Sequence, residues 1–128
     1  MVREVLAVAV GGAVGSLARY ALLLAFSLLG AVWLPIATLV ANLLGCLAIG
    51  FVAQWSLQTH WDQHWAAIGI RIGLLGGLTT FSSFALDALR MWQAERLSAA
   101  AWLVLAHVVL GIAAAALGIW LARNAVTA

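Results

Sequence analysis

Apolar stretches long enough to cross a bilayer follow one another along this chain, separated only by short polar connections, and their length decides what the chain can become. A membrane-spanning helix needs roughly 20 apolar residues, so 128 residues accommodate about four spans and leave no room for a separate soluble domain. Charged residues make up 8% of the chain and hydrophobic ones 66%, whereas about a quarter of a soluble domain is charged. Water cannot be the solvent for most of this surface. The sequence therefore predicts an all-α membrane protein, a single four-helix domain over residues 1–128.

The first span is expected over 4–29. Met1, Val2, Arg3 and Glu4 lead straight into apolar residues as a signal peptide would, but the stretch is too long for one and reads as a retained span. Gly30 to Leu34 form a minimal connection before Pro35 opens the second span, 35–57, at a position where its missing N–H costs nothing. The polar stretch Gln58 to His64 is the clearest loop. A third span is expected over 65–92, and after a turn at 93–96 a fourth over 98–122, closed by Arg123 and Asn124.

Tryptophans at 33, 55, 61, 65, 92, 102 and 120 fall near these span ends, where amphipathic rings sit at membrane interfaces. Small residues recur every fourth position at Gly11 and Gly15, at Ala37, Ala41 and Gly45, and at Gly69, Gly73 and Gly77, a spacing that lets helix backbones approach closely. Arginines specify orientation poorly. With both termini and the Gln58–His64 loop on one side, that side carries Arg3 and Arg123 and the other Arg90 and Arg96, so the positive-inside rule has almost nothing to act on. This predicts a chain that inserts both ways and assembles as a dual-topology antiparallel homodimer.

Six arginines, no lysines and four acids are too few and too scattered to bind nucleic acid. Cys46 is the only cysteine, which excludes an internal disulfide and leaves it a small hydrophobe in the packing. Covalent catalysis has no constellation to work with: His60 and His64 lie in the loop, and His107 has no acid near it at helical spacing. Gly11, Gly12 and Gly15 do not follow a strand, so they do not make a nucleotide loop. No enzyme is expected.

The middle of the third span, Gly76 to Ser83, is a run of poor helix formers. In lipid a broken helix is tolerated only where its freed backbone groups face protein or a watery path. The break therefore either borders a functional site, where carbonyls would hold a cation and N–H groups an anion, or is a kink packed by neighbours. Asn42, with Thr38 one turn before it, carries amide donors that need either a polar partner on another helix or a ligand. Arg19 lies well inside the first span, where an arginine costs at least about 2.5 kcal/mol; it faces a cavity or an anion, or snorkels to the span end. For Arg71 and Asp87 the plain expectation is an ion pair with each other, or of Asp87 with Arg90. Phe81 and Phe84 read as lipid-facing or core aromatics, although two rings turned edge-on could also support a small anion.

Three strings carry a resemblance over essentially the whole chain: Gly11-Gly12-Ala13-Val14-Gly15-Ser16 leading to Arg19, Thr38 to Gly45, and above all Gly76-Gly77-Leu78-Thr79-Thr80-Phe81-Ser82-Ser83-Phe84. They resemble the CrcB or Fluc fluoride channels of bacteria. That resemblance implies a multi-pass protein of the inner membrane that lets fluoride leave the cell passively, an antiparallel homodimer with two pores, and a structural sodium ion on the two-fold axis. By the same resemblance the sodium would be held by the main-chain carbonyls of Gly76 and Thr79. Phe81 and Phe84 would form the aromatic box of the pore, Asn42 its amide donor, and Ser82 or Ser83 a hydroxyl, while Arg19 would draw anions into the vestibule.

Departures from the family lie mainly in the fourth span, where a polar track of tyrosine and serines is usual and Leu103, His107 and Gly111 stand here. Asp87 stands for a usual glutamate, and Ala85 for a common serine. His107 is expected to replace a track hydroxyl, with Thr38 a further polar candidate, and to make conduction pH-dependent. The main rival is a proton-coupled exporter of the small multidrug type, which needs a central carboxylate in its first span; this chain has only Glu4, at the very start. A non-transporting assembly subunit would leave the Gly76 break, Asn42 and Arg19 without a common purpose.

Overall fold

In the computed structural model residues 1–30 and 34–126 are described. The expected connection at 31–33, with Trp33, lies outside them. Helix α1 is Val2–Ser27 and α2 is Leu34–Gln58. Helix α1 ends two residues before the expected Leu29 because Gly30 takes a φ of 108° and its N–H closes on the Ser27 carbonyl at 3.0 Å. After α2 the chain turns through His60 at a φ of 55°, and the Trp61 N–H returns to the Ser56 carbonyl at 2.9 Å. His64 then caps the next helix, its Nδ1 accepting the Ala66 N–H at 3.3 Å.

That next helix, α3, has three consecutive parts: α-helical Trp65–Ile68, a π-helical stretch Gly69–Leu74, and a final α-helical turn Leu75–Leu78. Helix α4, Phe81–Gln93, completes the third span. Helix α5, Leu97–Val126, runs past the expected end at 122, because Arg123 and Asn124 extend it; the Asn124 amide donates to the Trp120 carbonyl at 3.0 Å. Among the described residues, four helical stretches are long and apolar enough to cross a membrane: Val2–Ser27, Pro35–Gln58, Trp65–Gln93 and Leu97–Ala125.

Glycine decides which helices pair. Helix α1 lies along α3, and α2 along α5. At the first seam a Cβ on Gly11 would stand 2.5 Å from the Gly69 carbonyl, one on Gly73 2.6 Å from the Val8 carbonyl, and one on Gly77 2.6 Å from the Gly12 carbonyl. Backbone meets backbone there, as the four-residue spacing predicts. Gly69 and Gly73 of this seam lie in the π-helical stretch and Gly77 in the α-helical turn that follows it.

The α2–α5 seam is equally close at a pair the sequence pattern does not single out. A Cβ on Gly118 would meet the Phe51 nitrogen at 2.7 Å, and Gly50 stands against the Ala115 carbonyl. Ala37, Ala41, Ala106 and Ala122 are buried among these helices. Interfacial tryptophans cluster at the α2–α3 loop, where Trp55 and Trp61 meet edge to face with centroids 5.5 Å apart.

Candidate functional site

The break between α3 and α4 is shorter than the expected 76–83: Gly76 and Gly77 complete the last turn of α3, Phe81 to Ser83 begin α4, and only Thr79 and Thr80 are non-helical. Hydroxyl chemistry explains the narrowing. Thr79 is extended (φ −87°, ψ 152°), with its Oγ1 donating back to the Leu75 carbonyl at 2.9 Å. Thr80 is the N-cap of α4, its Oγ1 accepting the Ser83 N–H at 3.2 Å, a strongly preferred residue type at that position.

Three side chains complete the break. Asn42 of α2 accepts the Thr80 N–H on Oδ1 at 2.7 Å and donates Nδ2 to the Thr80 carbonyl at 3.0 Å. Of the two roles the sequence leaves open for Asn42, a helix partner is therefore realised, while one N–H of the same amide remains. Arg19 of α1 donates Nε to the Gly77 carbonyl at 3.1 Å, placing a cation at the carbonyl end of α3 where the helix dipole favours it. The carbonyls of Gly76 and Thr79 accept no hydrogen bond among the described residues.

A cavity of about 410 Å³ opens on the other side of the break. Asn42, Gly76, Thr79, Phe81, Phe84 and His107 all line it. Its volume far exceeds the roughly 30 Å³ that one water occupies, so it has the dimensions of a vestibule. Phe81 and Phe84 meet edge to face, centroids 5.4 Å apart at 68°; Phe84 is 8% exposed and Phe81 78%. His107 of α5 stacks on Phe84 with centroids 4.1 Å apart. Its Nδ1 donates to the Leu103 carbonyl at 2.9 Å, and its Nε2 is buried and without a partner among the described residues.

Four expected site residues do not line this cavity: Arg19, Thr38, Ser82 and Ser83. Arg19 serves the end of α3. Ser82 and Ser83 cluster with Thr80, Oγ to Oγ distances being 3.1 and 3.3 Å. Thr38 is buried and donates Oγ1 to Asp87 Oδ2 at 3.1 Å. That bond replaces the expected ion pairs: among the described residues Asp87 forms no salt bridge with Arg71 or Arg90. The break separates Arg71 on α3 from Asp87 on α4, and Thr38 of α2 is the polar group that faces the carboxylate. In the fourth span Leu103 and Gly111 are buried rather than part of a polar track, and a Cβ on Gly111 would lie 3.6 Å from Cys46 Sγ.

Arg71 and Thr80 are cavity residues that sequence reasoning did not assign to the site. Thr80 carried a signal, a threonine three residues before Ser83 at a helix restart. For Arg71 the signal was only its position within an apolar span.

These elements define a polytopic α-helical membrane protein with a discontinuous helix whose freed backbone groups border an inter-helical cavity. Residues 6–119 match the family model described as CrcB-like protein, Camphor Resistance (CrcB), and the chain belongs to that family. It is 42% identical over 120 residues to a protein of Paracoccus denitrificans named fluoride-specific ion channel FluC, covering 93% of this chain and 94% of the relative. Proteins of the same name from Stutzerimonas stutzeri and Geobacter metallireducens are 42% and 39% identical, covering 96% and 94% of this chain and 99% and 97% of theirs.

Proposed function

We propose that the chain is one subunit of a fluoride-selective channel of the bacterial inner membrane, which lets fluoride leave the cell down its gradient and so confers fluoride resistance. The carrying observation is the convergence of Asn42, the Thr79–Thr80 break and the Phe81–Phe84 pair on one cavity, in a chain whose relatives bear the fluoride channel name along nearly their whole length.

Fluoride is small and strongly hydrated, so a path for it must offer donors in place of water. The unused N–H of the Asn42 amide supplies one, held rigid because the rest of that amide is fixed to Thr80. Phe81 and Phe84 supply ring edges, which carry partial positive charge without competing for protons. Arg19, bound to the end of α3, still has four N–H groups to attract anions. Ser82 or Ser83 adds a hydroxyl where the path leaves the break.

The channel is a dual-topology antiparallel homodimer. Polar backbone at Thr79 and Thr80, Ser82 beside it and the exposed Phe81 open sideways from the single chain; irregular backbone is not tolerated against lipid, so a second copy covers it. The Gly76 and Thr79 carbonyls, without donors among the described residues, fit a structural sodium ion: two subunits bring four oxygens. Bound there, sodium supplies positive charge that holds the two breaks together. Tags on the C-terminus should be accessible from both faces of the membrane; labelling from one face only rules out the dual topology.

Fluoride efflux from proteoliposomes, measured against chloride, tests the channel. Rapid fluoride-selective efflux, lost in Phe81→Ile, is expected. Silence from well-folded wild-type dimers overturns the reading.

A further inference from the structure

We propose that Arg71, rather than Arg19 alone, is the cation that concentrates the permeating anion inside the cavity. This inference rests on the channel reading above. Arg71 lies six residues into the third span, about 9 Å along the helix from Trp65, where an arginine is costly unless it faces water or a counter-charge. No carboxylate pairs with it among the described residues, because Asp87 is bonded to Thr38.

The fold turns Arg71 to the anion path. Gly69 and Gly73, two residues to either side, are buried against α1, so Arg71 between them lies on the opposite face, where it lines the same cavity as Asn42, Thr80, Phe81 and His107. It belongs to the π-helical stretch, a local irregularity often found at functional sites. Arg19 differs in both respects: its Nε is tied to the Gly77 carbonyl, and it does not line the cavity. The ligand class for Arg71 is a small monovalent anion held loosely in water, at a distance that favours entry over tight binding.

A unit charge roughly 10 Å away at an effective dielectric near 20 concentrates a monovalent anion about tenfold. Fluoride efflux should be measured over a range of fluoride concentrations in wild type, Arg71→Gln and Arg71→Lys. Arg71→Gln should raise the half-saturating fluoride concentration about tenfold with little change in the saturating flux, and Arg71→Lys should recover most of the loss. Raising ionic strength with an impermeant salt should shrink the gap between wild type and Arg71→Gln, since screening shortens to about 3 Å at 1 M. An unchanged half-saturation in Arg71→Gln overturns the proposal, and so does equal damage in Arg71→Gln and Arg71→Lys, which marks a packing role. Absence of fluoride flux in the wild type would break the channel reading instead.

Discussion

Gly76 and Gly77 are neighbours of the same residue type with opposite surroundings. A Cβ on Gly77 would meet the Gly12 carbonyl at 2.6 Å and the Ser16 nitrogen at 3.0 Å, whereas one on Gly76 would meet nothing within 4 Å. Helix α3 thus has one face closed by its own chain and another left open at the cavity. The closed face is a seam of backbone contacts in which Gly11, Gly15, Gly69, Gly73 and Gly77 leave no space for a Cβ. The open face carries the donors, rings and freed carbonyls, and its remaining wall belongs, in our proposal, to a second subunit.

Substitution should separate the two faces most sharply at the glycines. Gly77→Ala and Gly15→Ala push a methyl group into backbone, Gly15 towards the Leu78 nitrogen at 2.8 Å, and should cost about 3 kcal/mol or abolish monodisperse protein in detergent. Gly76→Ala should keep the fold of each chain and weaken only its dimer, read by size-exclusion chromatography. Equal unfolding by Gly76→Ala and Gly77→Ala would erase the distinction. Next in size is Asn42→Leu, which strands the Thr80 N–H and carbonyl together and should lower stability by about 2 to 4 kcal/mol, measured by denaturant unfolding in micelles. Thr38→Val leaves the Asp87 carboxylate without its hydroxyl donor and should cost about 1.5 kcal/mol in the same assay, with the break intact.

The smallest effect belongs to His107. His107 lines the cavity, with Nδ1 held by the Leu103 carbonyl and Nε2 buried without a partner among the described residues. An added proton on this ring would bring a further donor and a charge, so fluoride flux should rise a few-fold at lower pH. Arg71 and Cys46 also line this cavity, and Asp87 on α4 is bonded to Thr38. A pH profile that stays the same in His107→Ser removes the imidazole from conduction.

Run length and four-residue periodicity made the closed face legible: the α1–α3 seam uses the same Gly11, Gly15, Gly69, Gly73 and Gly77 that the spacing marks. The break was legible from poor helix formers, though too wide, because composition does not reveal that Thr80 will cap the next helix. Partners across the open face were not legible. Asn42 with Thr80 and Thr38 with Asp87 are separated by 38 and 49 residues, and only the packing of α2 against the third span selects them. Nor does composition mark a π-helical stretch, so the direction in which Arg71 points was hidden.

The clasp between Asn42 and Thr80 also sets an order for biogenesis. Vectorial synthesis delivers Asn42 to the bilayer 38 residues ahead of Thr80, so the receptor for the irregular segment is already in place when that segment emerges. A third span that would enter lipid with bare peptide groups instead enters beside an amide matched to them. Maturation of the chain is in this sense templated by its second helix, and a ribosome-stalled intermediate lacking that amide should linger with its third span outside the membrane.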